Sequence, residues 1–187
     1  VNLKNIDVQY VLDMVQFDDV LFGGLATGTI TLKKLMDTPS INTRLNVHDF
    51  TVNNGLMGHA DIKGLWDNEL PGIRLKAQMT EENISTTQVT GYVSPELKAL
   101  DLQIKANNTS MDLLAPYFDG IFSEVDGRIK GNVHLFGGFK SLDFTGAANV
   151  NMDAKLDALN TYFRIQDDSI HIQQGEFALN NVRISDR

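Results

Sequence analysis

The sequence predicts an all-β protein with one or two short helices. Three observations predict this class. Apolar and polar residues alternate with period two in many stretches, turn-forming residues separate these stretches at regular intervals, and the four prolines fall at their boundaries. Successive side chains of a strand point to opposite faces, so this alternation is typical of strands with one dry and one solvated face. About a dozen such strands are expected.

The clearest strand runs from Leu142 to Leu156. Every second residue is apolar or small, and the residues between them are polar, with Ala147 as the exception. We expect Val150 and Met152 to face inward and Asn149 and its polar partners to face water. The apolar positions are Leu142, Phe144, Gly146, Ala148, Val150, Met152, Ala154 and Leu156.

The other strands are predicted from shorter alternations. The alternating positions that indicate them are Ile30 and Leu32; Ile41, Thr43, Leu45 and Val47; Ile73, Leu75, Ala77 and Met79; Leu100, Leu102, Ile104 and Ala106; Val133 and Leu135; Phe163 and Ile165; Ile170 and Ile172; Val182 and Ile184. Turn signals lie between them at Asp37 to Pro39, Asn53 to Gly55, Asp67-Asn68, Gly137-Gly138, Asp167-Asp168 and Asn180-Asn181.

Two stretches read as short amphipathic helices, Ile6 to Phe22 and Met111 to Phe118. Each precedes a pair of glycines with GxxxG spacing, and Gly131 follows Gly28 at an offset of 103 positions. At this offset the apolar positions of the following strands also coincide, which predicts an internal repeat. We expect one unit over residues 1–108 and a second over residues 109–187, each with a leading helix, within one continuous β structure.

Composition and motifs argue against several function classes. The net charge is −8, which disfavours a protein that tracks the nucleic-acid backbone, and the absence of cysteine removes thiolate chemistry. The four histidines occupy polar positions of predicted strands, and no nucleophile, phosphate-loop or metal-ligand motif is present. The sequence therefore predicts a non-enzymatic protein without a metal or cofactor. Its longest apolar run, Val20 to Ala26, is too short to span a bilayer, which takes about 20 residues.

The most specific part of the chain is its C-terminal stretch. It reads from Leu156 through Tyr162-Phe163-Arg164-Ile165, then from Asp167 to Ile172, and ends on Val182-Arg183-Ile184-Ser185-Asp186. This order of motifs resembles the C-terminal repeats of TamB-like translocation and assembly module proteins, particularly those of Bacteroidetes. The Gly127 to Gly131 opening, preceded by the Leu113 to Pro116 patch, is similar to the AsmA-like superfamily to which they belong.

The resemblance implies a long antiparallel sheet, built from repeats, that curls into an open, taco-like hydrophobic groove. It also implies a segment of a longer, periplasm-spanning scaffold whose inner-membrane anchor lies outside this sequence. The implied function is phospholipid transport, outer-membrane protein assembly, or both. The implied partners are phospholipid acyl chains and an outer-membrane assembly protein docked through other regions. The expected groove residues are Ile30, Leu32, Ile41, Leu45, Val47, Val133, Leu135, Leu142, Phe144, Val150, Met152, Phe163, Ile165, Ile170, Ile172, Val182 and Ile184.

Two alternatives fit the same alternation. A closed β-sandwich would pack its dry faces against one another, although the small residues at positions 146, 148 and 154 favour a groove with space for a ligand. A structural or adhesin-like repeat module would instead bind protein partners by strand addition. Exposed edge strands would also let the segment self-associate weakly.

Overall fold

The computed structural model describes residues 1–13, 21–35, 38–67, 69–111, 120, 122–173, 176–179 and 185–186. These residues form twelve strands, one short helix and a 3₁₀ turn at Asp157–Leu159, which confirms the all-β class. The elements are β1 Asn2–Asp7, α1 Val8–Asp13, β2 Phe22–Leu35, β3 Thr38–Val52, β4 Gly55–Asp67, β5 Gly72–Glu81, β6 Ile84–Ser94, β7 Ala99–Ser110, β8 Phe122–Gly138, β9 Ser141–Leu156, β10 Thr161–Gln173, β11 Glu176–Leu179 and β12 Ser185–Asp186.

All twelve strands belong to one antiparallel sheet. The strands from β1 to β11 lie in sequence order, each hydrogen-bonded to the next, and β12 pairs with β10 beside β11. Such an order needs only short hairpin connections. Among the described residues β1 does not pair with the last strands, so the sheet is open.

The predicted alternation is clearest in β9. Val150 is 3% exposed, whereas Asn149 and Asn151 on either side of it are exposed. Antiparallel pairing sets directly opposite residues on the same face, so the pattern of one strand is carried to its neighbours. The sheet therefore has one apolar face and one polar face.

Two hairpins turn on pairs of residues with positive φ. The Asn53-Asn54 pair has φ values of 50° and 67°, and Glu82-Asn83 has 46° and 67°. This conformation suits two-residue hairpins because its twist matches that of the flanking strands, and asparagine tolerates it. The first pair was predicted as a turn, and Glu82 belongs to the acidic pair Glu81-Glu82, for which the sequence also favours a solvated turn.

One predicted turn is wrong. Asp167-Asp168 lies inside β10, which runs unbroken from Thr161 to Gln173. Pairing with β9 shifts by one residue between Ile165 and Asp168, so the additional residue is accommodated as a β-bulge. The two strands predicted on either side of the aspartates are thus one strand.

The first helical prediction is correct in type, but its two end residues, Ile6 and Phe22, lie in strands, and residues 14–20 are outside the described part of the chain. Only Val8–Asp13 are described as helix, and Ile6 belongs to β1. The Asp7 carboxylate accepts a 2.9 Å hydrogen bond from the Gln9 backbone N–H, which caps the helix start. The second predicted helix, beyond Met111, lies outside the described residues, as does the predicted turn at residues 180–181.

Two triplets of strands share one register. All eleven residue pairs from Leu25–His48 to Leu35–Thr38 in β2–β3 recur 103 positions later in β8–β9. The four β1–β2 pairs recur at the same offset in β7–β8, where a bulge again contains an asparagine with positive φ, Asn5 in β1 and Asn108 in β7. The expected unit boundary at residues 108 and 109 falls at this second bulge, within β7.

Candidate binding surface

The apolar face is organised in rows that run across the strands. The central row joins directly paired residues of nine consecutive strands, from β2 to β10. Its members are small, apolar or hydroxyl-bearing: Ala26, Val47, Ala60, Met79, Thr87, Ala106, Gly131, Ala148 and Ile170. Ala26, Val47 and Ala60 are at most 1% exposed. The middle of this face is therefore dry.

Parallel rows widen this surface. One row contains Gly28, Leu45, Ile62, Ala77, Val89, Ile104, Val133, Gly146 and Ile172. The next contains Ile30, Thr43, Gly64, Leu75, Gly91, Leu102, Leu135 and Phe144. We call these three rows, with Leu32, Ile41, Leu142, Val150, Met152, Phe163 and Ile165, the apolar face.

The expected groove residues that are described fall on this face. Val47, Val150 and Ile165 are buried, most others are half-buried, and Leu32 is 64% exposed. Ile170 and Ile172 are placed by backbone register opposite Ala148 and Gly146. Val182 and Ile184 lie outside the described residues.

The contribution of β4 and β6 to this surface was not predicted from the sequence. Ala60 and Ile62 of β4 and Thr87 and Val89 of β6 occupy consecutive rows. Thr87 is 3% exposed and its hydroxyl lies 2.7 Å from the Thr109 hydroxyl, which in turn donates to the Thr86 carbonyl at 3.0 Å. These hydrogen bonds allow threonine to occupy a dry position. The sequence signal was weak because threonine and glycine stand where an apolar residue was sought.

Glycines on the apolar face bring neighbouring strands close together. A Cβ built at Gly131 would lie 2.4 Å from the Ala147 carbonyl oxygen, and one at Gly28 would lie 2.1 Å from that of Arg44. Both distances are well inside van der Waals contact, so only glycine fits. Gly28 and Gly131 are the register-equivalent pair, which gives the GxxxG spacing a structural reason.

The sheet bends at the end that carries the β5–β6 turn. Arg128 of β8 donates from Nη1 to Glu81 Oε2 of β5 at 2.6 Å, although a flat sheet would separate these strands by about 14 Å. β4 and β7, with two strands between them, also approach each other. Long side chains then bridge strands that are not neighbours.

Parts of the apolar face stay open to solvent: Leu32 is 64% exposed, and Leu135 and Phe144 are only half-buried. Among the described residues no second sheet or layer of helices covers the apolar face. The face is closed in its middle by its own side chains and open toward its margins.

The polar face carries charged and hydrogen-bonding residues in paired positions. Arg164 makes two hydrogen bonds to Asp153, Nε–Oδ1 at 2.8 Å and Nη2–Oδ2 at 3.1 Å, and these raise the pKa of the guanidinium. Arg74 donates to the buried Asp67 carboxylate; together with the backbone N–H of Glu69 it lowers the pKa of that carboxyl. These ion pairs link neighbouring strands, β9 to β10 and β4 to β5.

The histidines lie on this polar face. His134 pairs with Asp101 at 2.8 Å. The His48 and His59 rings contact each other with centroids 4.8 Å apart and an interplanar angle of 59°, and His171 is exposed. Among the described residues no group of three or more His, Asp or Glu side chains is arranged to hold a metal ion. His48, His59 and His134 thus take part in contacts with other side chains.

A cavity of about 590 Å³ lies at the end of the sheet that carries the β5–β6 turn. His48, His59, Glu81, Thr86 and Arg128 are among its lining residues. Its walls mix both charge signs, and the Glu81 and Arg128 charges already pair with each other. A smaller cavity lies between β1 and α1.

Within the described part of the chain, no helix has the length and hydropathy needed to cross a membrane. Comparison with family models, with curated proteins and with solved structures found no match to this chain. The likeness to the translocation and assembly module family thus rests on the sequence motifs alone.

Proposed function

We propose that the apolar face is the wall of a curled, taco-like groove that holds phospholipid acyl chains. The observation that carries the proposal is the register: it places apolar or small residues of nine consecutive strands in continuous rows. A row across nine strands, at about 4.8 Å per strand, is about 38 Å long. One leaflet of hydrocarbon is about 15 Å thick, so the rows exceed the length of an acyl chain.

The energetics favour such a ligand. Each CH₂ group that leaves water for this face gains about 0.8 kcal/mol. Half-buried residues toward the margins of the apolar face, such as Val133 and Phe144, supply contact area for such a chain. None of the residues named in the three rows is charged, which suits a hydrocarbon chain more than a charged head group.

In this proposal the two register-equivalent triplets, β1–β3 and β7–β9, belong to successive repeats of one scaffold. The protein is then a non-enzymatic, periplasmic segment of a TamB-like scaffold, active in phospholipid transport, outer-membrane protein assembly, or both. An outer-membrane assembly protein is the partner proposed for regions elsewhere in the scaffold. The support is the order of the C-terminal motifs together with the shared register.

Lipid extraction tests the proposal. The chain purified from bacterial membranes or periplasm should carry phospholipid detectable by mass spectrometry after native gel filtration. Val133→Asp places a charge on the half-buried part of the apolar face, and Asn132→Asp places the same charge on the exposed polar face next to it. We expect Val133→Asp to lower bound lipid at least fivefold and Asn132→Asp to leave it unchanged. Equal lipid in both folded variants would refute lipid binding at this face.

The second candidate function is a structural or adhesin-like module that binds proteins by strand addition. The open sheet favours it, because an unpaired edge offers backbone hydrogen bonds to an extended partner. A chain that carries no lipid yet binds extended peptides at an edge would favour this function over the first.

A further inference from the structure

Three β-bulges meet at the cavity beside the β5–β6 turn. The bulges contain Asp49 in β3, Thr86 in β6 and Asn108 in β7, and all three residues line the cavity. A bulge interrupts the alternation of a strand and redirects the side chains next to it. The lining residues come from six consecutive strands, β3 to β8, and enclose about 590 Å³, which is the size of a small-molecule site.

One wall of the cavity contains a buried hydroxyl without a partner. Thr86 is 2% exposed, and its Oγ1 has no hydrogen-bond partner among the described residues. The adjacent Thr87 differs, because its hydroxyl pairs with that of Thr109. Buried hydroxyls are almost always hydrogen-bonded, so an unpaired one calls for a donor or acceptor from outside the chain. Since Thr86 lines the cavity, a ligand held there can supply that group.

The charges that line the cavity do not balance. They comprise three carboxylates, Asp49, Glu81 and Glu82, and one guanidinium, Arg128. Arg128 Nη1 already donates to Glu81 Oε2 at 2.6 Å and to the Asn108 carbonyl at 3.3 Å. Asp49 and Glu82 are exposed, and within the described part of the chain no cation pairs with either of them. Two negative charges are therefore in excess, which favours a cationic ligand and disfavours an anion.

The apolar part of the wall favours an organic cation over a metal ion. Leu56 and Ile84 line the cavity and are 52% and 58% exposed. Their exposed surface suits the methylene chain of an amine, in the same way that a lysine stem covers apolar surface while its ammonium group stays in water. No three His, Asp or Glu side chains of the described residues are arranged to hold a metal ion. The cavity thus combines two unpaired carboxylates with aliphatic surface.

We propose that this cavity binds an aliphatic diamine or polyamine. Its ammonium groups pair with Asp49 and Glu82, and an ammonium N–H donates to the Thr86 hydroxyl. Its methylene chain lies against Leu56 and Ile84. No residue that lines the cavity belongs to the apolar face, so this binding is separate from the proposed lipid binding.

Titration calorimetry with 1,5-diaminopentane, which carries two charges at pH 7, tests the proposal. We expect saturable binding of one molecule per chain, and Asp49→Asn and Glu82→Gln should each weaken it at least fivefold. Position 49 has a φ of 51°, which asparagine adopts readily, and glutamine keeps the size of glutamate. The control is Glu96→Gln, because Glu96 is exposed in the β6–β7 turn at the opposite end of β6. This control should change the affinity less than twofold.

Two further measurements test the second ammonium group and the hydroxyl. The single-charged 1-aminopentane should bind at least tenfold more weakly than the diamine. Thr86→Val should weaken diamine binding at least twofold without lowering stability to urea, because the Thr86 hydroxyl has no partner to lose within the described residues.

Three outcomes would overturn the proposal. They are the absence of saturable binding, equal affinity for 1-aminopentane, and an equal effect of the Asp49, Glu82 and Glu96 variants. The last outcome would mean a general attraction of amines to the net charge of −8. Lipid content is a separate readout and decides only the proposed function.

Discussion

The assignment of faces can be tested at Val150, which is 3% exposed in β9. Val150→Asp removes an apolar side chain from a dry position and puts a carboxylate there. Directly opposite it in β8 is Ile129. Leaving a buried charge without a partner costs about 3–5 kcal/mol, against a total stability of about 5–15 kcal/mol for a typical domain. We expect Val150→Asp to lose most of its stability at pH 7.

The stability loss of Val150→Asp should depend on pH in a defined direction. Desolvation raises the pKa of an introduced carboxyl in the folded state above its unfolded value, because burial disfavours the charged form. The loss in free energy of unfolding is then largest at pH values at which the introduced carboxyl is ionised in the unfolded chain. This loss becomes smaller as the pH falls toward 4. Urea unfolding followed by circular dichroism at pH 7 and pH 4.5 measures this difference.

Asn149→Asp is the control, because Asn149 is the adjacent residue and is exposed on the polar face. Surface changes of this kind are usually within about 0.5 kcal/mol. The reasoning fails if the two variants unfold within about 1 kcal/mol of each other, since Val150 would then be hydrated. The Val150→Asp variant tests which face of the sheet is apolar, but it does not test whether a groove exists. Neighbouring side chains already cover Val150, so water would not reach a charge there even in an open groove.

Three further predictions concern single interactions. Gly131→Ala should destabilise the chain by about 1–3 kcal/mol in urea unfolding, because its Cβ would meet a neighbouring carbonyl. The control is Gly138→Ala on the same strand, which should be tolerated because its Cβ would meet nothing closer than 3.4 Å. Thr109→Val leaves buried oxygen atoms unpaired and should cost about 1–3 kcal/mol in the same assay; no loss would mean that this pair is hydrated. The Asp67 carboxyl has a lowered pKa in the fold, so its contribution is complete above the ordinary value of 3.8 and is lost as the pH falls through the folded value. Asp67→Asn and Arg74→Gln should each flatten the acid limb of the stability profile, and an unchanged limb in both would contradict the assigned cause.

Sequence reasoning located the strands whose dry face is made of large apolar residues. β9 was predicted nearly to its ends because its inward positions contain Leu142, Phe144 and Val150. β6 was missed because Thr87 and Gly91 occupy inward positions, and their suitability depends on a hydrogen bond and a close backbone approach from β7. Neither contact can be inferred from the local pattern of β6.

The continuous rows of the apolar face also could not be predicted from the residue pattern within single strands. An alternating pattern tells which residues of one strand share a face, but bulges decide which residue of the next strand stands opposite. The bulge between Ile165 and Asp168 keeps Ile170 opposite Ala148 in the central row despite the intervening aspartates. The same aspartates suggested a turn when only the sequence was considered, since Asp-Asp pairs are common there.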